Sequence, residues 1–186
     1  SDVYKRQSVH VLSVRNECKE LLFVVEREAD GREPLVRCIN FGLDGMQSFS
    51  FTLEEERSAV LVPAGQVGTY LYEPNASVLK AGAFKQIAVR TGVKKLQVNS
   101  HLYTADHLVS DFPGRRFRVD EVLSFTGKLC KGLSKTIPQA NITVRNFPLS
   151  VEELRKRTKI TDGGHVYLFA TTLVDGEKVL VKCSKA

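Results

Sequence analysis

No stretch of the 186-residue sequence stays apolar long enough to cross a bilayer. Its start lacks the charged, apolar, small-residue order of a secretory signal, and no lipidation signature is present. A membrane is therefore not an expected partner. The sequence also has no G-x-G-x-x-G loop, no P-loop and no acidic residue following a Gly-rich strand-to-helix turn. These absences predict a chain with no nucleotide or cofactor pocket of its own. His10, His101, His107 and His165 show neither H-E-x-x-H nor any paired ligand spacing, so no metal centre is expected. Cys18, Cys38, Cys130 and Cys183 are scattered, without a CxxC pair or the density of a disulfide scaffold, and predict reduced thiols in a cytoplasmic protein.

What is present fits a folded chain. A hydrophobic content of 42% supports buried cores in one large domain or two to three small ones. The formal charge of +6 is unevenly divided: residues 1–112 hold 13 Lys/Arg and 14 Asp/Glu, whereas residues 113–186 hold 14 and 7. A basic C-terminal unit beside a neutral one predicts attraction to a polyanion, without by itself defining a site.

Along the chain the period changes several times. The polar start "SDVYKRQ" has no period and is set aside, with residues 1–8 expected to be a non-native or disordered leader. "VHVLSV" reads as a strand. In "NECKELLFVVE" the spacing of Cys18, Leu21, Leu22 and Val25 predicts a helix capped by Asn16. "PLVRCINF" and "QSFSFTL" read as a hairpin, "VGTYLYEP" as a strand, and "NASVLKAGAFKQIAVRTG" as a helix ending near Gly92. "KLQVNSHLYTAD" returns as a strand into a polar turn. After "DFPG" the order is strand, helix to Thr136, strand "NITVRNF", helix, then two strands joined at Asp175-Gly176, a small β-α-β-α-β-β domain.

Several residues invite a functional reading beside a structural one. Asn75, after Pro74, is placed to cap the following helix or to position a substrate. Gly82, in mid-helix, costs about 1 kcal/mol against alanine and is expected to serve close packing. Tyr70, Tyr72 and Tyr103 stack bases if exposed and otherwise seal a core edge. Ser150 and Glu153 have the spacing of a capping box. The cluster His101, Asp106 and His107 allows a small polar site, and Cys18 has no evident general base to make it a nucleophile. The strongest candidates are basic: Arg115, Arg116 and Arg118 in "RRFRV", and Arg155, Lys156, Arg157 and Lys159 in and beyond the helix after Ser150. Such residues bind RNA phosphates with an affinity that falls as salt rises, or else form a solvated helix face.

The strings "VHVLSVRNECKELLFVVE", "YLYEPNASVLKAGAFK", "VNSHLYTAD", "FPGRRFRV" and "RNFPLSVEELRKRTKITDGGHVYLFATT" together resemble the C-terminal part of a bacterial class I S-adenosylmethionine-dependent methyltransferase family. In that family the catalytic domain is followed by ferredoxin-like and THUMP-like domains. The resemblance implies an α+β chain: residues 9–55 as a remnant of the methyltransferase sheet, 66–112 as a ferredoxin-like connector, and 113–186 as a THUMP-like domain. It implies an accessory region that holds structured RNA while a separate N-terminal methyltransferase domain, using S-adenosylmethionine, transfers the methyl group. No catalytic, cofactor-binding or metal residue of the family maps onto this chain. The alternative is a structural or protein-interaction module with no direct nucleic-acid contact.

Overall fold

The computed structural model describes residues 5–27 and 32–186, and the chain divides into two compact units. The first takes the described residues up to Leu61 with Pro74–Gly92 and Asp111–Arg115; the second takes Val62–Glu73, Val93–Ser110 and Arg116–Ala186. The element order is α+β, as the sequence predicts, and includes the β-α-β-α-β-β order of the final domain.

The first unit is built on a four-stranded sheet, β1 (Lys5–Val14), β2 (Glu17–Glu26), β3 (Leu35–Gly42) and β4 (Gly45–Phe51), in the order β2-β1-β3-β4. Two expectations fail here. Residues 5–8 of the expected leader belong to β1, where Lys5, Arg6 and Ser8 pair with β2 and Ser8 also pairs with β3, while residues 1–4 lie outside the described residues. The segment read as a helix is β2. Arg15 and Asn16 both take left-handed backbone angles (φ 50° and 62°), the geometry of a two-residue hairpin turn whose twist matches paired strands. Phe23, Val24 and Val25, aromatic and β-branched, then continue as a strand, where such side chains keep their preferred rotamers. β2 is an edge strand with all ten residues exposed.

Helices α1 (Leu53–Ser58), α2 (Ala76–Ala81) and α3 (Gln86–Thr91) complete this unit. Thr52 and Glu55 form a capping box on α1, and that backbone hydrogen bond, with Arg90 nearby, holds the Glu55 carboxyl below its usual range. Glu56 accepts the amides of Lys85 (2.9 Å) and Gln86 (2.8 Å), so α1 supplies the anion at the start of α3. The single helix expected over 76–91 is split at Gly82. A Cβ there would meet nothing within 4 Å, so the glycine is not a close-packing device; it takes φ 78° and ends α2 as a left-handed cap. Gly82→Ala is expected to lower stability by about 1 kcal/mol through backbone strain alone, without a cavity or clash, as checked by urea unfolding.

The second unit carries a seven-stranded sheet in the order β6-β7-β5-β8-β11-β10-β9, with β5 (Tyr70–Pro74), β6 (Lys94–Lys95), β7 (Tyr103–Ala105), β8 (Gly114–Ser124), β9 (Asn141–Arg145), β10 (Tyr167–Thr172) and β11 (Lys178–Lys185). Alternation along the strands makes two cores. Phe117, Phe169, Val179, Val181 and Cys183 face one side, with Leu71, Leu96 and Leu102. Leu168, Ala170 and Leu180 face the other, under α4 (Gly127–Thr136) and α5 (Val151–Thr158), whose Leu133 and Leu154 complete that core. The sheet curls so that its far strand reaches back: Arg145 of β9 pairs with Glu73 of β5 at 2.8 Å, and Asn146 donates to Gln97 at 2.9 Å.

Candidate nucleic-acid interface

The local geometry of α5 distributes its basic residues. Ser150 accepts the Glu153 amide (3.2 Å) and Glu153 accepts the Ser150 amide (2.7 Å), which fixes the start of the helix. From there each residue turns about 100° around the axis. Leu154 and Thr158 point inward, so Arg155 and Arg157 fall on opposite flanks and Lys156 points away from the core. The run is therefore not one patch.

Arg155 is committed to structure. Its guanidinium donates to the carbonyls of Ile160 and Ala140, each at 3.2 Å, and pairs with Asp162, leaving the side chain 22% exposed. Lys156, Arg157 and Lys159 are exposed, and among the described residues none has an ion-pair partner. Lys159 closes the helix with φ 62°. Arg157 instead turns toward α4, where it lines a cavity of about 220 Å³ with Phe125, Cys130 and Lys131.

On α4, Thr126 accepts the Leu129 amide, and Cys130 and Leu133 face the core. Lys128, Lys131 and Lys135 are exposed and spaced three and four residues apart, which places them on one outward stripe. These lysines were not among the sequence candidates, although their spacing on an expected helix was the available signal. With Arg157 they form a cationic surface suited to a row of phosphates.

β8 alternates its basic residues in the same way. Phe117 is buried, Arg116 and Arg118 lie on the opposite strand face, and the Arg116 guanidinium donates to the Ser110 carbonyl. Arg115 belongs to the first unit, where it lines a groove with Asn75. Asn75 itself does not cap α2 through its side chain. Its Nδ2 donates to Gln47 at 2.9 Å, and the Ala76 amide donates to Asn16 Oδ1 at 2.7 Å.

The remaining polar candidates do not assemble into a catalytic group. Tyr72 and Tyr103 are fully buried and offer no stacking surface. The Tyr72 hydroxyl donates to the His107 carbonyl and accepts the Val109 amide, each at 2.9 Å, and burial pushes its ionisation up. All four cysteines are free; burial raises Cys38 and Cys183 to about 12, so neither is a thiolate near neutral pH. Among the described residues no group of three or more His, Cys, Asp or Glu side chains could hold a metal, and no helix is long and apolar enough to cross a membrane.

His101 sits 3.1 Å from the amine of buried Lys95, and burial together with Lys95 and Arg145 lowers its pKa to about 4. The folded state thus refuses a proton that the unfolded chain, near 6.5, accepts. Stability is expected to fall as pH drops from about 6.5 toward 4, beginning above the carboxylate range, and His101→Gln is expected to flatten that part of the profile. Urea unfolding at intervals between pH 7 and 5 checks this.

This architecture is that of a chain joining two recognisable modules. Residues 70–113 match a ferredoxin-like domain and residues 114–185 match a THUMP domain-like family. The two matches lie side by side along the chain. It is also similar to a solved structure described as a "putative methyltransferase from Porphyromonas gingivalis W83", with 42% identity and a TM-score of 0.89 over 99% of this chain. The chain spans 47% of that protein's length. No curated protein matches it.

Proposed function

We propose that this chain is the RNA-holding accessory region of an S-adenosylmethionine-dependent methyltransferase, and that it positions structured RNA for a catalytic domain outside the sequence described above. The observation that carries this reading is the cationic surface of α4 and α5, where Lys128, Lys131, Lys135 and Arg157 stand exposed on the THUMP-like segment. Electrostatic contact with phosphates needs no sequence readout. A rigid helix pair fixes where the RNA sits, and fixed placement lowers a barrier without any accessory residue taking part in bond making. Titration of a labelled structured RNA across a salt series tests it: binding whose logarithm falls linearly with the logarithm of salt supports it, and no saturable binding at low salt contradicts it.

The cofactor belongs to the whole protein in this reading. The β5–α2 turn runs through Pro74-Asn75 and is filled by amide side chains, so it offers no Gly-rich backbone cradle, and the residues present do not fit S-adenosylmethionine. We propose residues 9–55 as the part that adjoins the methyltransferase domain, 66–112 as the connector and 113–186 as the RNA-holding domain. The interaction-module reading also has one observation in its favour. β2 presents Leu21, Leu22, Val24 and Val25 to solvent on an unpaired sheet edge, a surface that further polypeptide of the related methyltransferase would cover.

A further inference from the structure

The first unit contains a groove of about 310 Å³ that neither module match explains. Its size lies at the lower end of small-molecule pockets, roughly 300 to 1,000 Å³. Segments distant in sequence converge on it: Arg15 from the β1–β2 turn, Asn40 and Asp44 from the end of β3 and the following turn, Gln47 from β4, Asn75 before α2, and Arg115 from the start of β8.

Two of these side chains are almost completely buried and still have hydrogen-bonding capacity to spare. Asn40 is 6% exposed. Its Oδ1 accepts the Ser13 hydroxyl at 2.7 Å and the Asn16 backbone amide at 3.1 Å. A backbone N–H can only donate, so the oxygen is fixed on that side and the Asn40 NH₂ has no partner among the described residues. Asn75 is 3% exposed. Its orientation is also set by a backbone group: Gln47 Nε2 donates to the Phe112 carbonyl at 3.4 Å, leaving Gln47 Oε1 to accept from Asn75 Nδ2 at 2.9 Å. The Asn75 oxygen is thereby left without a partner among the described residues.

The groove therefore offers one held donor and one held acceptor on a polar floor, with two guanidinium-bearing residues on its walls. Water reaches both open positions, so a complementary ligand exchanges that water for its own edge on groups already held in place. Every nucleobase has an edge carrying a donor or acceptor pair, and a nucleotide carries a phosphate beside it. We infer that this groove takes one nucleotide of an RNA strand, with its base edge on Asn40 and Asn75 and its phosphate on Arg15 and Arg115. The inference deepens the RNA-holding reading and rests on it, but it concerns a different unit of the chain and reads base identity rather than charge alone.

Mononucleotides separate the two. In two-dimensional NMR titrations of the ¹⁵N-labelled chain with uridine, cytidine, adenosine and guanosine 5′-monophosphates and with inorganic phosphate, groove amides, including the Asn40 and Asn75 side chains, are expected to shift saturably with at least one nucleotide. Inorganic phosphate is expected to bind at least tenfold more weakly. Arg15→Glu, an exposed turn substitution, is expected to weaken the nucleotide at least tenfold. Asn75→Asp is expected to change the order of preference among the four bases, while Lys131→Glu leaves these shifts unchanged. Absence of saturable groove shifts at millimolar nucleotide overturns the inference, as does phosphate binding equal to that of every nucleotide. Either result leaves the α4–α5 reading standing, since that reading is judged by structured RNA and its salt dependence.

Discussion

The triple variant Lys128→Glu, Lys131→Glu and Arg157→Glu is expected to lose structured-RNA affinity by one to two orders of magnitude at low salt, while keeping the fold. The three side chains are exposed and make no ion pair among the described residues, so reversing them breaks no salt bridge. Each phosphate contact contributes about 0.7 to 0.9 to the slope of log affinity against log salt, so losing three is expected to flatten that slope by about 2 to 3. Lys80 and Lys94 are exposed elsewhere in the chain, and their reversal to Glu is a control with little expected effect. Lys95 is unsuitable as a control because it is buried. Arg155 is equally unsuitable as a probe of RNA contact. Its loss strips partners from the Ile160 and Ala140 carbonyls, so a weaker affinity in that variant would report damage to the α5 end. Circular dichroism and fluorescence anisotropy on the same samples separate the two effects.

The largest stability effect is expected at Glu73. The carboxylate is 1% exposed on β5 and meets Arg145 of β9 at 2.8 Å, so it ties together strands that the sheet order places far apart. Glu73→Ala leaves a guanidinium facing an emptied site close to the buried Lys95 and His101 cluster. Removing one partner of a fully buried pair costs roughly 3 to 5 kcal/mol. Arg145 keeps 39% of its side chain exposed and is partly rehydrated, so the expected loss is about 2 to 3 kcal/mol. Urea unfolding of the unsubstituted chain, Glu73→Ala, Arg145→Ala and the double variant gives the coupling. A double variant more stable than Glu73→Ala is the expected outcome, because it removes the uncompensated charge.

Where information is local, the residues carry it openly. The order of elements after residue 113 follows from alternating runs and from turn chemistry such as Asp175-Gly176, where Gly176 takes φ 88° between β10 and β11. The strings that resemble the methyltransferase-associated family lie there, in Tyr70 to Lys85 and Val98 to Asp106, and also in Val9 to Glu26. β2 resembles a helix in sequence because Cys18, Leu21, Leu22 and Val25 satisfy a helical spacing, although Phe23 and Val24 between them are apolar too. The deciding fact is the left-handed Arg15-Asn16 turn, which depends on β1 being there to pair. Gly82 sits inside an apolar period long enough for one helix, and its left-handed cap shows only when the chain turns.

The basic residues show the same limit in another form. Sequence places Arg155, Lys156 and Arg157 side by side, but helix rotation separates them and tertiary contacts with Ala140, Ile160 and Asp162 absorb one. Conversely Lys128, Lys131 and Lys135 look dispersed in sequence and lie on one stripe in space. The groove is still less legible: Arg15, Asn40, Asn75 and Arg115 are separated by 25 to 100 positions, and neither open amide position follows from any short motif.

Ultraviolet crosslinking of the chain to a structured RNA, followed by mass spectrometry of the RNA-bearing peptides, tests the central claim most directly. The account predicts that adducts concentrate between Phe125 and Lys159, on peptides containing Lys128, Lys131 or Arg157, and that they disappear from those peptides in the triple charge-reversal variant. Saturable crosslinking confined to peptides outside this segment, and unchanged by the three substitutions, would contradict it.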